Sequence, residues 1–456
     1  MKTDCHQTEL TFQELGCREV RAAFDAGHVT SDAGALLLRE VALRTRLITR
    51  FASCFTDRRD ARYVEHRLER LIGQRVLGLA MGYEDVNDHD ALRHDPLMAI
   101  LTEQEDFAPL GGKSTINRLE QGGRVNRYQK ITWNEQAIAD LLVTHFLGSF
   151  REVPDCLVLD FDATDITLHG GQEHRFFHGY YGDYCYLPLY ITCGSHILCA
   201  KLRPSNIDAA LGAVDELARI VAMIRKRLPQ TRLIVRGDSG YAREELMKWC
   251  EANDVFYVLG LARNRRLEAR ITSELAQAQA EHEESGLPAR LFKEFLYRTL
   301  ETWSRRRRVI AKAEYLEKGK NPRFIVTNLD SAHWPAQSLY EILYCARGDM
   351  ENRIKEHQSD LFGHQMSTHT MGSNQLRLYF STIAHMLMTT LRHEALADTE
   401  LERAQPATIR VKLLKIGALI SVSVRRVCLR LASGYPYQHL FAKALSRLKL
   451  MRQTPA

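Results

Sequence analysis

Three separated segments each place a carboxylate where metal-assisted cutting of a phosphodiester would need one. Cys156 to Thr164 and Leu233 to Tyr241 read as short apolar strands that end in Asp162 and Asp238, and Tyr344 to Asn352 reads as a helix carrying Glu351. Two strand-end acids and one helical acid can converge on one point and hold two divalent cations. Such a site drives water or a sugar hydroxyl in line at a phosphodiester. Phosphoryl transfer on DNA is therefore the leading chemistry.

Each element also has a plainer explanation. Asp160 and Asp162 stand two apart, so on a strand both face the same side and either could be the ligand. Asp162 is preferred because it lies nearer the strand's C-terminal end. A lone Asp after an apolar run more often just starts a turn, and Asp238 meets the same objection. The helix is more specific: Tyr344, Arg347, Glu351 and Lys355 recur three or four residues apart on one stripe. A metal-binding carboxylate between two cations that grip adjacent phosphates suits DNA cleavage, although ordinary surface ion pairs would look similar. His169, His174 and His178 sit in a Gly-rich stretch without helical spacing and read as surface histidines rather than zinc ligands.

The elements that must position these acids follow in a recognisable order. From Cys156 the patterning predicts three strands, a helix over 208–227, a strand over 232–237, a helix over 244–252 and a strand over 255–261. That is the ribonuclease H-like order, an α/β fold with a mixed sheet flanked by helices. A carboxylate ending the first strand and one ending the fourth would then be neighbours. Residues 262–335 alternate in polarity and predict an antiparallel β insertion before the catalytic helix. The catalytic core is accordingly expected over 151–261 and 336–395. Residues 1–150 predict a mostly helical N-terminal DNA-binding domain, and 396–456 a basic helical C-terminal region. Gly111 to Thr115 imitates a phosphate loop, but Phe107 stands where glycine is required, so a turn and helix start are expected.

Composition agrees with a nucleic-acid partner. The net charge is only +6, yet from Arg403 to Ala456 there are eleven Lys or Arg and no Asp or Glu. Arg305 to Arg308 follow Trp303 closely, and clustered positive charge suits closely spaced phosphates. Arg425 and Arg426 in the basic tail are the expected phosphate contacts. Ten cysteines contain no Cys-x-x-Cys pair, which argues against a zinc knuckle or disulfide framework. No apolar run nears the ~20 residues of a membrane span and no signal peptide is evident, so a cytoplasmic, nucleoid-associated protein is expected.

At these residues the chain resembles the DDE transposases of bacterial insertion sequences. The resemblance includes the signature Tyr344, Arg347 and Glu351 of the large group with a β insertion before the catalytic Glu. It looks closest to the thirteen-eighty family, through stretches at 29–34, 159–165, 235–240, 347–356 and 412–417. One departure is Gln358, where the wider signature has Lys; Lys355 could supply that charge instead. The resemblance implies cut-and-paste transposition dependent on two Mg²⁺ ions, with Mn²⁺ able to substitute, held by Asp162, Asp238 and Glu351. It further implies binding to terminal inverted repeats and target DNA, a homodimer in the synapse, and a hairpin intermediate with a base stacked on Trp303 or Trp334. A ribonuclease H-like structure-specific nuclease would share the three acids, and a catalytically silent DNA-binding protein would need only the basic faces. Inverted repeats flanking the gene would separate these.

Overall fold

The structure, a computed structural model, describes residues 9–121 and 129–451. The chain forms two compact units. One comprises residues 134–359 with 363–382, and the other comprises residues 1–133, 360–362 and 383–456.

The first unit is built on a nine-stranded mixed sheet. Its strands are β1 (Cys156–Ala163), β2 (Leu189–Cys193), β3 (His196–Lys201), β4 (Arg232–Gly237), β5 (Phe256–Leu261), β6 (Ala289–Tyr297), β7 (Arg307–Leu316), β8 (Gly319–Lys320) and β9 (Arg323–Thr327). The spatial order is β3-β2-β1-β4-β5-β9-β7-β6, with β8 paired to β7. β1, β4 and β5 run parallel while β2 runs antiparallel to β1, consistent with the ribonuclease H-like expectation.

Alternation along β1 explains how it is held. Leu157, Leu159 and Phe161 enter a core that also takes Leu217 and Ile220 of α1 (Ala213–Arg227) and Leu246 and Met247 of α2 (Glu244–Ala252). Val158, Asp160 and Asp162 face the other way. On that side Val158 and Ile234 pack with Leu339, Tyr340 and Leu343, which lead into the helix carrying Glu351.

Residues 262–335 depart from the expected β insertion. They begin with two helices, Arg265–Ala269 and α3 (Thr272–Ser285). Their strands then extend the main sheet, because β9 pairs antiparallel with β5. Valine, isoleucine and alanine on β7 and β9 bury both faces of this extension, so it shares the core instead of forming its own.

The second unit joins both ends of the chain. Its helices include Leu36–Thr45, Leu68–Met81 and Lys113–Glu120, the last starting at the Gly112 turn with Lys113 paired to Asp90. Beside the helices of the mostly helical start stand a hairpin, Leu10–Leu15 with Arg18–Ala22, and a strand, His28–Thr30, that the spacing did not predict. That strand pairs with Ala418–Ser423, which itself forms a hairpin with Arg426–Leu431. The C-terminal region is thus helical only in part: Pro406–Ile409, Arg410–Leu414 and Gln438–Met451 are helical, with the hairpin between them. Among the described residues no helix is long and apolar enough to cross a membrane.

Candidate active site

β1 and β4 are in parallel register, with Arg236 beside Asp160 and Gly237 beside Phe161. The next step in that register sets Asp238 beside Asp162 at the C-terminal edge of the sheet. The register also separates the two candidate aspartates. Asp160 is buried and takes two hydrogen bonds from Arg236, 2.5 and 2.8 Å long. Arg236 in turn donates to the Leu343 carbonyl at 2.6 Å. Both partners of this pair are already satisfied, so Asp160 holds the sheet together.

Asp162 is placed differently. Among the described residues its one side-chain hydrogen-bond partner is Arg347, whose Nη2 donates to Oδ1 at 3.0 Å. Burial pushes the Asp162 carboxyl up to about 6, and the negative charges of Asp238 and Glu351 add to that shift, while Arg347 opposes it. Arg347 feels Asp162, Asp238 and Glu351 together, which raises its own affinity for a proton. The three acids of three separated segments therefore lie within one another's field.

Asp238 directly follows β4 and starts a tight turn, where its Oδ1 accepts from the Gly240 amide at 2.9 Å. Gly260 on β5 makes room for that turn. A Cβ there would lie 2.7 Å from the Tyr344 Oη, 2.9 Å from the Ser239 amide nitrogen and 3.1 Å from the Asp238 carbonyl carbon. Tyr344 is thus wedged against the backbone that presents Asp238. No sequence pattern singled out Gly260, since its role exists only through neighbours on other elements.

The helical stripe is wound less regularly than its spacing predicts. Leu339–Tyr344 form π-turns, Cys345–Arg347 a 3₁₀ turn, and only then does α4 (Gly348–Lys355) begin, before Glu356–Asp360 return to π-turns. Wide and tight turns around Tyr344 and Arg347 alter the angles at which these side chains leave the axis, and such irregularities gather at functional sites. Met350 and Ile354 anchor α4 in a core with Tyr190, leaving Glu351 and Lys355 exposed.

An all-oxygen set of acids suits a hard divalent ion, and mutual repulsion around Asp162 is what such a charge would relieve. As they stand, the acids are not closed around one point. Among the described residues no three His, Cys, Asp or Glu side chains form a group that would hold an ion. Arg347 supplies the positive charge. His169 lines a cleft of about 420 Å³ with Asp165, Gln172 and His364.

Two expectations for DNA-contacting side chains need correction. Trp303 is only 5% exposed and packs edge to face on Tyr297 with ring centroids 5.9 Å apart, so it is a core residue offering no open face to a base. The adjacent arginine run is largely neutralised: Arg307 pairs with Glu244 and Glu251, Arg308 with Glu294, and Arg305 with Glu251. Trp334 is half-buried on the other face of the sheet. In the C-terminal region Arg425 and Arg426 are exposed, but on a hairpin turn rather than a helix.

No curated protein matches the chain. A family profile, the transposase DDE domain of group 1, matches residues 12–453 and so covers nearly the whole sequence. A match of that extent shows the family, and the chain belongs to the group 1 DDE transposases.

Proposed function

We propose that this transposase moves its element by Mg²⁺-dependent cut-and-paste, with Asp162, Asp238 and Glu351 as metal ligands on a ribonuclease H-like core. The observation that carries this reading is the convergence of three distant carboxylates: burial pushes Asp162 up to about 6, and the charges of Asp238 and Glu351 add to that shift. Two bound ions would supply an activated nucleophile and stabilise the leaving 3′ oxygen. Asp162 and Asp238 present their oxygens from the rigid sheet edge, while Glu351 reaches in from α4. Arg347 neutralises Asp162 in this structure; with cations held by the acids, its guanidinium would be free to grip a phosphate beside the cut, with exposed Lys355 assisting from the next helical turn.

We further assign the element to the thirteen-eighty family, from the stretches that resemble it. Its ends and its target are DNA in the cytoplasm, bound by a homodimer in the synapse. The test is incubation of the purified protein and Mg²⁺ with DNA carrying the element's flanking inverted repeats. Excision followed by strand transfer into a second DNA is expected. Cutting without any joined product would favour the nuclease alternative.

A further inference from the structure

The segment directly after β1 carries a patch of side chains that the catalytic reading does not use. Strand Phe176–His178 pairs antiparallel with Asp183–Tyr186, placing Phe177 opposite Tyr184. Phe177 is 57% exposed, Tyr180 86% and Tyr184 44%. Large rings normally bury most of their surface, so three exposed together on one small ribbon mark a contact surface. They are ordered rather than scattered. Phe177 and Tyr184 meet edge to face at 5.6 Å, Tyr180 and Tyr181 at 5.0 Å, and the Arg175 guanidinium lies 4.2 Å over the Tyr184 ring.

The ribbon is tied to the carboxylate cluster. Tyr181 donates its hydroxyl to the carbonyl of Ala163, the residue after Asp162, at 3.3 Å. Burial and the charges of Asp165, Asp162 and Asp238 together push the Tyr181 phenol up to about 12. The Tyr181 end of the ribbon therefore lies beside the strand end that carries Asp162.

We propose that Phe177, Tyr180 and Tyr184, with Arg175, form a stacking platform for unpaired bases of the DNA strand next to the scissile phosphate. Flat faces with one interleaved guanidinium match bases with a nearby phosphate, and every base has such a face, so the platform would be tolerant of sequence. It occupies the role that Trp303 cannot take from within the core. The inference rests on the reading of Asp162, Asp238 and Glu351 as a phosphodiester site.

The test compares the full-length protein bound to a blunt duplex and to the same duplex with a short single-stranded overhang containing 2-aminopurine. Wild type should bind the overhang DNA more tightly and quench its fluorescence. Phe177→Ala with Tyr180→Ala should weaken binding to the overhang about five- to 150-fold per lost base stack and restore fluorescence, leaving blunt-duplex binding unchanged. Tyr180→Trp should keep the preference, and Glu351→Gln should keep it while losing cleavage. Equal weakening on both DNAs, or a changed sedimentation coefficient without any change in overhang binding, would overturn the proposal. The second result would make the patch a contact between copies of the chain. Because overhang binding is read without cleavage, loss of the platform and loss of the catalytic reading give different results.

Discussion

Each of the two units sets a partly or fully buried aspartate against a basic residue far away in the chain, yet the outcomes differ. In the unit formed by the chain ends, Asp32 is buried, 2.5 Å from the Lys415 ammonium, and accepts from the Tyr83 hydroxyl at 2.6 Å. The lysine also lies 4.3 Å over the Tyr83 ring. Around this lock, the Ala33 amide donates to the Ile416 carbonyl and residues 28–30 pair with 418–420. In the sheet unit Asp162 has one bond from Arg347 and two acids in its field. The first aspartate closes a fold, whereas the second stores repulsion that a cation can relieve. Charge and burial alone do not separate the two cases; what separates them is how fully the carboxylate is already satisfied.

That contrast can be broken most severely at Asp32. Asp32→Ala should cost about 3 kcal/mol, as removal of one partner from a buried pair does, read as a lower denaturation midpoint. Cleavage per folded molecule should survive. An unchanged midpoint would mean that the strand pairing alone holds the chain ends together.

Two glycines sharpen the comparison at smaller cost. A Cβ on Gly34 would lie 2.0 Å from the Leu413 carbonyl oxygen, so Gly34→Ala must spread the lock. Gly260→Ala must instead push Tyr344 or the Asp238 turn aside. Each should destabilise by about 1–3 kcal/mol, but only Gly260→Ala should lower cleavage per folded molecule. Loss of cleavage in both would remove the distinction between lock and site.

The third prediction concerns pH. Asp162 has a folded carboxyl near 6 against an ordinary value of 3.8, so the native state holds its proton more firmly than the unfolded chain does. Its stabilising contribution is complete below 3.8 and lost as pH rises to about 6. The Tm of metal-free protein should therefore fall across that window relative to the Tm of Asp162→Asn. Persistence of the same slope in the variant would assign it to other groups.

The mildest change is at the hairpin turn of the chain-end unit. Arg425→Gln with Arg426→Gln should lower the salt slope of DNA binding by about two units, since two phosphate contacts are lost. An unaltered slope in the folded double variant would leave the basic tail without a DNA-binding role at this hairpin.

Much of the sheet was legible because local patterning carries it: apolar runs ending in Asp at 162 and 238 became strand ends, side by side. The choice between Asp160 and Asp162 was not legible, because Arg236 lies beside Asp160 only once β1 and β4 pair in register. Leu413 to Val424 space like one helix, but the strand that recruits 418–423 lies near residue 29, beyond any local signal. Trp303 beside four arginines reads as a DNA contact until Glu244, Glu251 and Glu294 arrive from other elements to neutralise most of that charge. The aromatic ribbon was overlooked for the opposite reason. In sequence this Gly-rich stretch reads only as a surface loop with histidines, while the exposure of Phe177 and Tyr180 appears only in the folded chain.

The most direct measurement is Mg²⁺-dependent cleavage of element-end DNA by Asp162→Asn, Asp238→Asn and Glu351→Gln, with Asp160→Asn as the companion variant and DNA binding measured in parallel. Asp162, Asp238 and Glu351 acting as one site predicts background cleavage from each of their three variants, with binding retained, and measurable cleavage from folded Asp160→Asn. Near-normal cutting by Glu351→Gln, or by Asp162→Asn while folded Asp160→Asn is dead, would contradict it.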